Sequence, residues 1–370
     1  MSMSYFIFII TIVVAVCAIL AAYGFKGRST TIGVDLGTTF SVIGVVKDGQ
    51  VTIVTDEQGR NIFPSVISFA DSGVFHGLYD ALPYLSLNPK NTIFNAKRFI
   101  GKRLDDTDVQ EYASAHPFEV VEGNTSQYGN IAFALSSTGH PNTVSPIEVG
   151  SQVLKHLLKV TASFLGHSQV NKAVIAVPAK FNSLQREATA AAFKAAGLKV
   201  VRVLEEPTAA AVAYDLHKSS SIHHILVYDF GGGTLDVSLL FVANGSVQVY
   251  ATDGDDTLGG SDFDLCMYDI VRNKLEIHHE ITLEKLSEMQ RETLSSEFCT
   301  SATIRSMAEQ IKKDLTYAPS KEFKCQFPSG KHVSFEVTKD EFESGCQGLF
   351  QRGLLPVTRL LDDLGINFLI

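Results

Sequence analysis

Two short stretches of the chain place an aspartate at the end of an apolar, β-branched run and follow it with glycine and threonine. They are VDLGTTFS at residues 34–41 and YDFGGGTLD at residues 228–236. A carboxylate at the end of a buried strand is costly unless it finds a partner, such as a metal ion or its coordinated water. The glycines let the backbone turn and approach a ligand closely, and free N–H groups and threonine hydroxyls can bind phosphate oxygens.

Each stretch taken alone is equally compatible with a turn that simply ends a strand. Two such stretches, in halves of the chain that resemble each other, favour two loops that bind one nucleotide polyphosphate from opposite sides. The carboxylates would then serve the Mg²⁺ ion that accompanies the phosphates.

Both halves open with the same order of elements. In the first half, TIGVDLG and FSVIGVV lead through Asp48-Gly49 into VTIVTD; in the second, HILVYDFGGG and TLDVSLLFV lead through Asn244-Gly245 into SVQVYATDG. Asp-Gly and Asn-Gly between apolar runs predict β-hairpins. The repeat predicts an internal duplication with two similar lobes, at 29–216 and 217–370.

Strands and helices alternate after the first meander. Apolar residues recur at helical spacing over 146–164, and the strand KAVIAVP follows. The helix SLQREATAAAFKAAG and the strand KVVRVLEEP come next. This alternation predicts an α/β fold.

Composition limits the classes of partner. The chain has 370 residues, 45% of them hydrophobic, and a net charge of -9. Its length suffices for two lobes, because single cores stop growing near about 250–300 residues. No lysine or arginine cluster and no basic aromatic motif is present, so we expect no nucleic-acid partner.

The N-terminal segment from Tyr5 to Phe25 contains no charged residue. It exceeds the length of about 18 residues that a membrane-spanning helix needs, and it is also compatible with a cleaved signal peptide. Residues 1–28 are therefore interpreted as a signal peptide or signal anchor, and membrane contact is expected only there. Lys26 and Arg28 follow the segment and no basic residue precedes it, which taken alone favours a cytosolic body.

The cysteines show no Cys-x-x-Cys spacing, and one of the five, Cys17, lies inside the apolar segment. We therefore expect neither a disulfide scaffold nor a zinc site. Sequons at Asn124 and Asn244 are relevant only if the chain faces a secretory lumen.

Further motifs carry a more specific signal. Together with the two loops, AKRFIGKRLDD, AVPAKFNSLQREAT, EEPTAAAVAY and LGGSDFD resemble the successive motifs of the 70-kDa heat-shock chaperones, from about residue 31 to about residue 316. An apolar segment joined directly to such a domain is most similar to a microsomal member of this family that consists of the ATPase core. The resemblance implies an actin-like, ribonuclease-H-like two-lobed α/β ATPase fold, no peptide-binding domain, and a location in the endoplasmic reticulum lumen or on microsomes.

The resemblance also assigns roles to residues. Asp35, Asp229 and Glu206 would hold Mg²⁺ through water, and Lys97 would reach the γ-phosphate of ATP and the attacking water. Positioning and electrostatics supply most of the catalysis in phosphoryl transfer. The expected catalytic residues are Lys97, Glu206, Asp229 and Thr234. The expected nucleotide-binding residues are Gly37, Thr38, Thr39, Gly231, Gly232, Gly233, Asp236, Gly259, Gly260, Glu309, Lys312, Lys313 and Thr316. On the residues alone, Lys97 is also compatible with surface charge and Glu206 with a turn before proline.

The chain departs from the family pattern in three places. Ile62 and Phe63 occupy the positions of paired threonines near the phosphate site. Lys313 replaces an arginine, and an ammonium group cannot stack flat on adenine as a guanidinium does. After GLLPVTRLLDDLGINFLI no match to the family's Gly-Gly-Ser-x-Arg strand follows, so the second lobe is expected to be incomplete at its C-terminus.

The leading hypothesis is a chaperone-type protein that binds ATP·Mg²⁺ between two lobes and hydrolyses it slowly to ADP and phosphate, independently of peptide. The alternative is a nucleotide-impaired binding module for co-chaperones or ubiquitin-like proteins, which the expected loss at the C-terminus favours. A sugar kinase of the same fold is disfavoured, because the chain carries no sugar-binding signature.

Overall fold

The computed structural model describes residues 3–22, 30–47, 49–114, 116–123, 127–136, 139–279, 299–327 and 330–365. The chain divides into two compact units, Met1–Glu206 and Pro207–Ile370. The boundary between them lies before residue 216, where the sequence predicted the end of the first lobe. The basic residues at 26 and 28, the sequon at 124–126 and the apolar end at 366–370 lie outside the described residues.

Helix α1 (Met3–Ala22) occupies most of the apolar N-terminal segment. Its described side chains, at positions 10–19, are exposed. Within the described part of the chain, no helix is long and apolar enough to cross a membrane. The interpretation of residues 1–28 as a signal peptide or anchor remains a prediction.

The first unit is built on a six-stranded sheet. Its strands, with those of two smaller sheets, are β1 (Thr30–Leu36), β2 (Phe40–Lys47), β3 (Gln50–Ile53), β4 (Phe63–Pro64), β5 (Ile67–Ala70), β6 (Gly73–His76), β7 (Thr92–Ile93), β8 (Val120–Glu122), β9 (Ile131–Ala134), β10 (Thr143–Val144), β11 (Val170–Val177) and β12 (Lys199–Glu205). The large sheet has the order β12-β11-β1-β2-β3, and β4 pairs with β2. β1 runs parallel to β11 and antiparallel to β2, which places Asp35 opposite Ala176 and Val42.

Several helices lie between these strands in the sequence, and one follows them. They are α2 (Gly77–Asp80), α3 (Tyr84–Leu87), α4 (Thr107–Ser114), α5 (Pro146–Leu165), α6 (Ser183–Ala195) and α7 (Glu206–Ala213), and α7 begins at the last residue of the unit. A capping box of Ser145 and Glu148 starts α5, and Gly166, with φ of 72°, ends it. The predicted apolar spacing of α5 is confirmed, because Val153 and Leu157 are buried in the same core as the alternating residues of β1.

The second unit repeats the opening meander of the first. Its elements are β13 (His224–Phe230), β14 (Leu235–Ala243), β15 (Ser246–Asp255), α8 (Gly260–His279), α9 (Ser301–Asp314), β16 (Ser320–Gln326), β17 (His332–Thr338), α10 (Lys339–Gly345) and α11 (Gln347–Asp363). β13, β14 and β15 form one antiparallel sheet, and β16 and β17 form a second. The predicted hairpin at Asn244-Gly245 is confirmed, and both residues have the positive φ that such a turn requires. The order β13-β14-β15 repeats the order β1-β2-β3 of the first unit, and the internal duplication stays a prediction.

Two disulfides lie in the second unit, so the prediction of no disulfide scaffold was wrong. Cys266 of α8 bonds Cys346, between α10 and α11, and Cys299 bonds Cys325 of β16. The partners are 80 and 26 residues apart in the sequence. No local spacing marks them, because only the packing of separate elements brings them together.

Candidate functional site

The loop between β1 and β2 carries the first set of predicted phosphate ligands, Gly37, Thr38 and Thr39. A Cβ atom at Gly37 would overlap the carbonyl oxygen of Phe40, so only glycine closes this turn. Ser65 supports the loop: its hydroxyl donates to the carbonyl of Gly37 at 2.9 Å, and its N–H donates to that of Thr39 at 2.8 Å. Sequence reasoning gave Ser65 no role, since only the Pro-Ser dipeptide before β5 marks it.

Lys97 and Glu206 form an ion pair within the first unit. Lys97 lies in the short 3-10 helix Ala96–Arg98, and Glu206 begins α7 directly after β12. The Nζ atom of Lys97 donates to Oε1 of Glu206 at 2.7 Å, and the two side chains are only 10% and 16% exposed. The interpretation of Lys97 as surface charge was therefore wrong, and two predicted catalytic residues are in contact.

Lys97 and the first loop share one small cavity. Its volume is about 20 Å³, and its lining includes Gly37, Thr38, Ser65 and Lys97. A cavity of this size has room for about one water molecule. The predicted catalytic lysine and the predicted phosphate loop are thus neighbours in the first unit.

Arg186 of α6 supports the segment that precedes Glu206. Its guanidinium group donates to Oε1 of Glu205 at 3.0 Å and to the carbonyls of Phe181 and Ala179 at 2.8 and 3.0 Å. These bonds tie the end of β12 to the turn after β11. Arg186 is thus a supporting residue that the sequence analysis did not assign.

The second loop, between β13 and β14, carries Gly231, Gly232, Gly233 and Thr234. The N–H of Gly231 donates to the carbonyl of Thr234 at 2.8 Å and closes the loop. A Cβ atom at Gly259 would overlap the backbone of Gly232 and Gly233, so glycine is required there too.

The N-terminus of α8 is bonded to this second loop. The N–H of Gly260 donates to the carbonyl of Gly231 at 2.9 Å, and that of Ser261 donates to the carbonyl of Gly232 at 2.8 Å. The first turn of a helix of this length carries partial positive charge, which favours an anion nearby. The predicted ligands Gly231–Gly233, Gly259 and Gly260 are therefore brought together.

Asp229 and Asp236 are cross-strand partners on β13 and β14. Asp229 is exposed and Asp236 is half-buried. Like charges directly opposite each other repel, so a cation that binds here relieves the repulsion. Mg²⁺ usually keeps several waters and takes one or two carboxylates, so this pair fits it. Among the described residues, no cluster of three or more His, Cys, Asp or Glu side chains is placed to hold a metal.

Of the residues on and just after α9 that were predicted to contact adenosine, some lie beside the second glycine loop and others do not. The Nζ atom of Lys312 lies 2.6 Å from Oδ1 of Asp264 and donates to the carbonyl of Gly260 at 3.2 Å. Burial raises the pKa of Asp264, and the ion pair with Lys312 only partly offsets this effect. Lys313 pairs instead with Glu309, at 2.5 Å, on the exposed side of the helix. Thr316, just beyond the helix, is also exposed.

The comparisons with known proteins all indicate the same protein family. A family model described as "Hsp70 protein" matches residues 31–368. A mitochondrial-type heat shock protein 70 of Encephalitozoon hellem is 37% identical over 347 residues, which cover 92% of this chain and 55% of that protein. A heat shock 70 kDa protein of Emericella nidulans is 38% identical over 340 residues, which cover 91% of this chain and 50% of that protein.

The chain thus spans about half the length of these two relatives. Neither relative carries a microsomal description, so the resemblance to a microsomal member has no support from them. The family model covers most of the chain, including both glycine loops, Lys97 and Glu206. The chain therefore belongs to the Hsp70 family, with the mixed α/β fold of its ATPase domain.

Proposed function

We propose that this chain binds ATP together with Mg²⁺ and hydrolyses it slowly to ADP and phosphate, without requiring a peptide. One observation carries the proposal: each unit has an aspartate followed by a tightly packed glycine loop. A Cβ atom at Gly37 would overlap Phe40 in the first loop, and one at Gly259 would overlap the backbone of Gly232 and Gly233 in the second. Membership of the Hsp70 family supports the choice of nucleotide.

In this proposal the two loops bind the phosphates of one nucleotide through backbone N–H groups and threonine hydroxyls. Asp35, Asp229 and Glu206 would hold Mg²⁺ through water, and Asp236 would add negative charge beside Asp229. The ion, when bound, neutralises charge that develops on the transferred phosphoryl group. Lys97 would exchange its bond to Glu206 for one to the terminal phosphate and would supply positive charge there.

Calorimetric titration of the full chain with ATP·Mg²⁺ tests the proposal. We expect binding in the wild type and its loss in Asp35→Ala/Asp229→Ala. The matched control is Asp105→Ala/Asp362→Ala, which removes one exposed carboxylate from each unit away from the loops. A folded wild type that gives no binding heat, with no protection by ATP against proteolysis, would contradict the proposal.

A second candidate function is a binding module for a co-chaperone or a ubiquitin-like protein. The observation that favours it is the apolar surface of α11, where Phe350, Leu354 and Leu355 are 41%, 54% and 50% exposed. Exposed apolar clusters of this kind are typical of protein contacts. Partner binding by a wild type that binds no nucleotide, and its loss in Leu354→Asp, would favour this function over the first.

For the location we propose the endoplasmic reticulum lumen or the microsomal surface. Disulfides persist in oxidising compartments, and the chain pairs four cysteines. The sequon residue Asn244 is exposed at a hairpin turn, where glycan attachment is sterically open. Subcellular fractionation with endoglycosidase treatment of the wild type and Asn244→Gln tests this. A cytosolic fraction with every cysteine reduced would contradict it.

A further inference from the structure

Two arginines on helix α11 hold the end of strand β15. Arg352 donates hydrogen bonds of 3.2, 3.0 and 2.8 Å to the carboxylate of Asp255. Arg359 donates at 2.8 and 3.0 Å to the carboxylate of Asp253. The arginines are about two helical turns apart and so lie on one face of α11. A guanidinium that binds both carboxylate oxygens fixes direction as well as distance.

The same arginines also bind two neighbouring groups of this segment, one between the two aspartates and one after them. Arg359 donates to the carbonyl of Gly254 at 3.3 Å, and Arg352 donates to the hydroxyl of Thr257 at 2.9 Å. Asp255 accepts the N–H of Thr257 at 2.9 Å. Segment 253–257 is therefore held along its whole length by α11. We refer to these contacts of Arg352 and Arg359 as the arginine clamp.

This segment borders the second glycine loop. Gly254 is the register partner of Asp236, and a Cβ atom at Gly254 would overlap the carbonyl oxygen of Leu235. The chain then continues to Gly260, which donates to the carbonyl of Gly231. A displacement of segment 253–257 would therefore be transmitted both to Asp236 and to the loop.

Helix α11 is itself fixed, so it can serve as a support. Cys346, directly before its first residue, is bonded to Cys266 of α8. The hydroxyl of Tyr228 donates to the carbonyl of Gly353 at 3.0 Å, and Leu360 is buried in the core beneath β14. The helix is thus anchored at its start, its middle and its end.

We propose that Arg352 and Arg359 are positioning residues for the second phosphate loop, and that the arginine clamp sets the affinity of the protein for a nucleoside polyphosphate. The proposal rests on the proposed function of the two loops. Neither arginine need touch the nucleotide, because each acts through a carboxylate at the end of β15.

Most exposed ion pairs contribute little to stability. The arginine clamp differs because both pairs are bidentate, adjacent in the fold and directed at carboxylates that are only 21% and 24% exposed. Paired contacts that share one segment are coupled, so their loss is not the sum of two independent changes.

The test measures two quantities on the full chain with Arg352→Ala, Arg359→Ala and the double variant. One is the dissociation constant for ATP·Mg²⁺; the other is hydrogen exchange of the Gly260 and Ser261 amides without nucleotide. We expect each single variant to weaken binding by about three- to tenfold and to accelerate exchange at both amides. Arg272→Ala, which removes a helix-surface pair with Asp269 in the same unit, is the matched control and should change neither.

If Arg352 and Arg359 only stabilised the fold, a different result would be expected. A lower melting temperature with unchanged affinity and unchanged exchange at Gly260 and Ser261 would overturn the proposal. Recovery of both quantities in the reversed pair Arg352→Asp/Asp255→Arg would support it. If the wild type binds no ATP·Mg²⁺, the proposed function fails, and the amide exchange of the variants still decides whether the arginine clamp positions the loop.

Discussion

The ammonium group of Lys97 and the carboxylate of Glu206 lie 2.7 Å apart in a largely buried pair, although 109 residues separate them in the sequence. The pair joins the motif AKRFIG to the motif EEPTAAA. The ion pair holds the Lys97 side chain beside the first glycine loop, with which it shares a small cavity.

Replacing Lys97 with methionine should therefore remove charge stabilisation without removing the phosphate loops. We expect the rate of ATP hydrolysis to fall by about 100-fold, as when one stabilising donor is lost from an active site, while ATP·Mg²⁺ still binds. Single-turnover hydrolysis and calorimetry measure the two effects separately. Lys90→Met, at an exposed lysine in the same unit, is the control. Wild-type hydrolysis by Lys97→Met would exclude a catalytic role for this lysine.

Neighbouring glycines at the start of α8 should differ sharply in their tolerance of a methyl group. A Cβ atom at Gly259 would overlap the backbone of Gly232 and Gly233, whereas at Gly260 the nearest heavy atoms are 3.8 Å away. Gly259→Ala should lower the free energy of unfolding by about 1–3 kcal/mol and weaken nucleotide binding. Gly260→Ala should leave both close to the wild type. Equal effects of the two changes would show that the contact with the loop is not tight.

The stability of the first unit should decrease at acidic pH. His76 and His156 stack with ring centroids 5.8 Å apart, and burial lowers the pKa of both imidazoles. The charge of His76 lowers the pKa of His156 further, Lys159 and Lys155 lower that of His76, and Asp80 opposes these effects. Because the unfolded chain binds protons more readily, the stabilisation is complete above the ordinary histidine pKa of 6.5 and is lost as the pH falls through the folded values.

Urea unfolding between pH 7.5 and pH 5, extremes that bracket the ordinary histidine pKa of about 6.5, measures this dependence. His156→Gln should make the free energy of unfolding less sensitive to pH than in the wild type. His167→Gln, at an exposed position after α5, serves as the control. A wild type whose stability does not change over this range would contradict the prediction.

The disulfides of the second unit give a prediction that needs no ligand. Alkylation of the denatured, unreduced protein should modify Cys17 alone, since the other four cysteines are paired. Cys266→Ser/Cys346→Ser should lower the free energy of unfolding by about 2–4 kcal/mol, because the bond closes a long loop. Mass spectrometry and denaturant titration give the two readouts. Several alkylated cysteines in freshly isolated protein would contradict the pairing.

Local sequence signals predicted much of the fold. The period of apolar residues located α5, the helical stretch that ends at Gly197 located α6, and Asn-Gly located the β14–β15 hairpin. The resemblance of the motifs pointed to the Hsp70 family, to which the chain belongs. These features depend on residues a few positions apart, so the sequence displays them directly.

Contacts between distant segments were not predictable in the same way. The bonds from Arg352 to Asp255 and from Arg359 to Asp253 span 97 and 106 residues, and the outer disulfide spans 80. Ser65 beneath the first loop is another such case. Each depends on how elements pack, and a single sequence does not show which arginine, serine or cysteine will face which partner.

The order of the paired cysteines has a consequence for biosynthesis. The bond between Cys299 and Cys325 is nested inside the span from Cys266 to Cys346. Among the four paired cysteines, the first that a chain oxidised from N- to C-terminus offers to Cys266 is Cys299, and that pairing is non-native. Reaching the nested arrangement then requires thiol–disulfide exchange. The yield of correctly oxidised protein should therefore depend on an isomerase or a glutathione buffer, whether or not ATP is present.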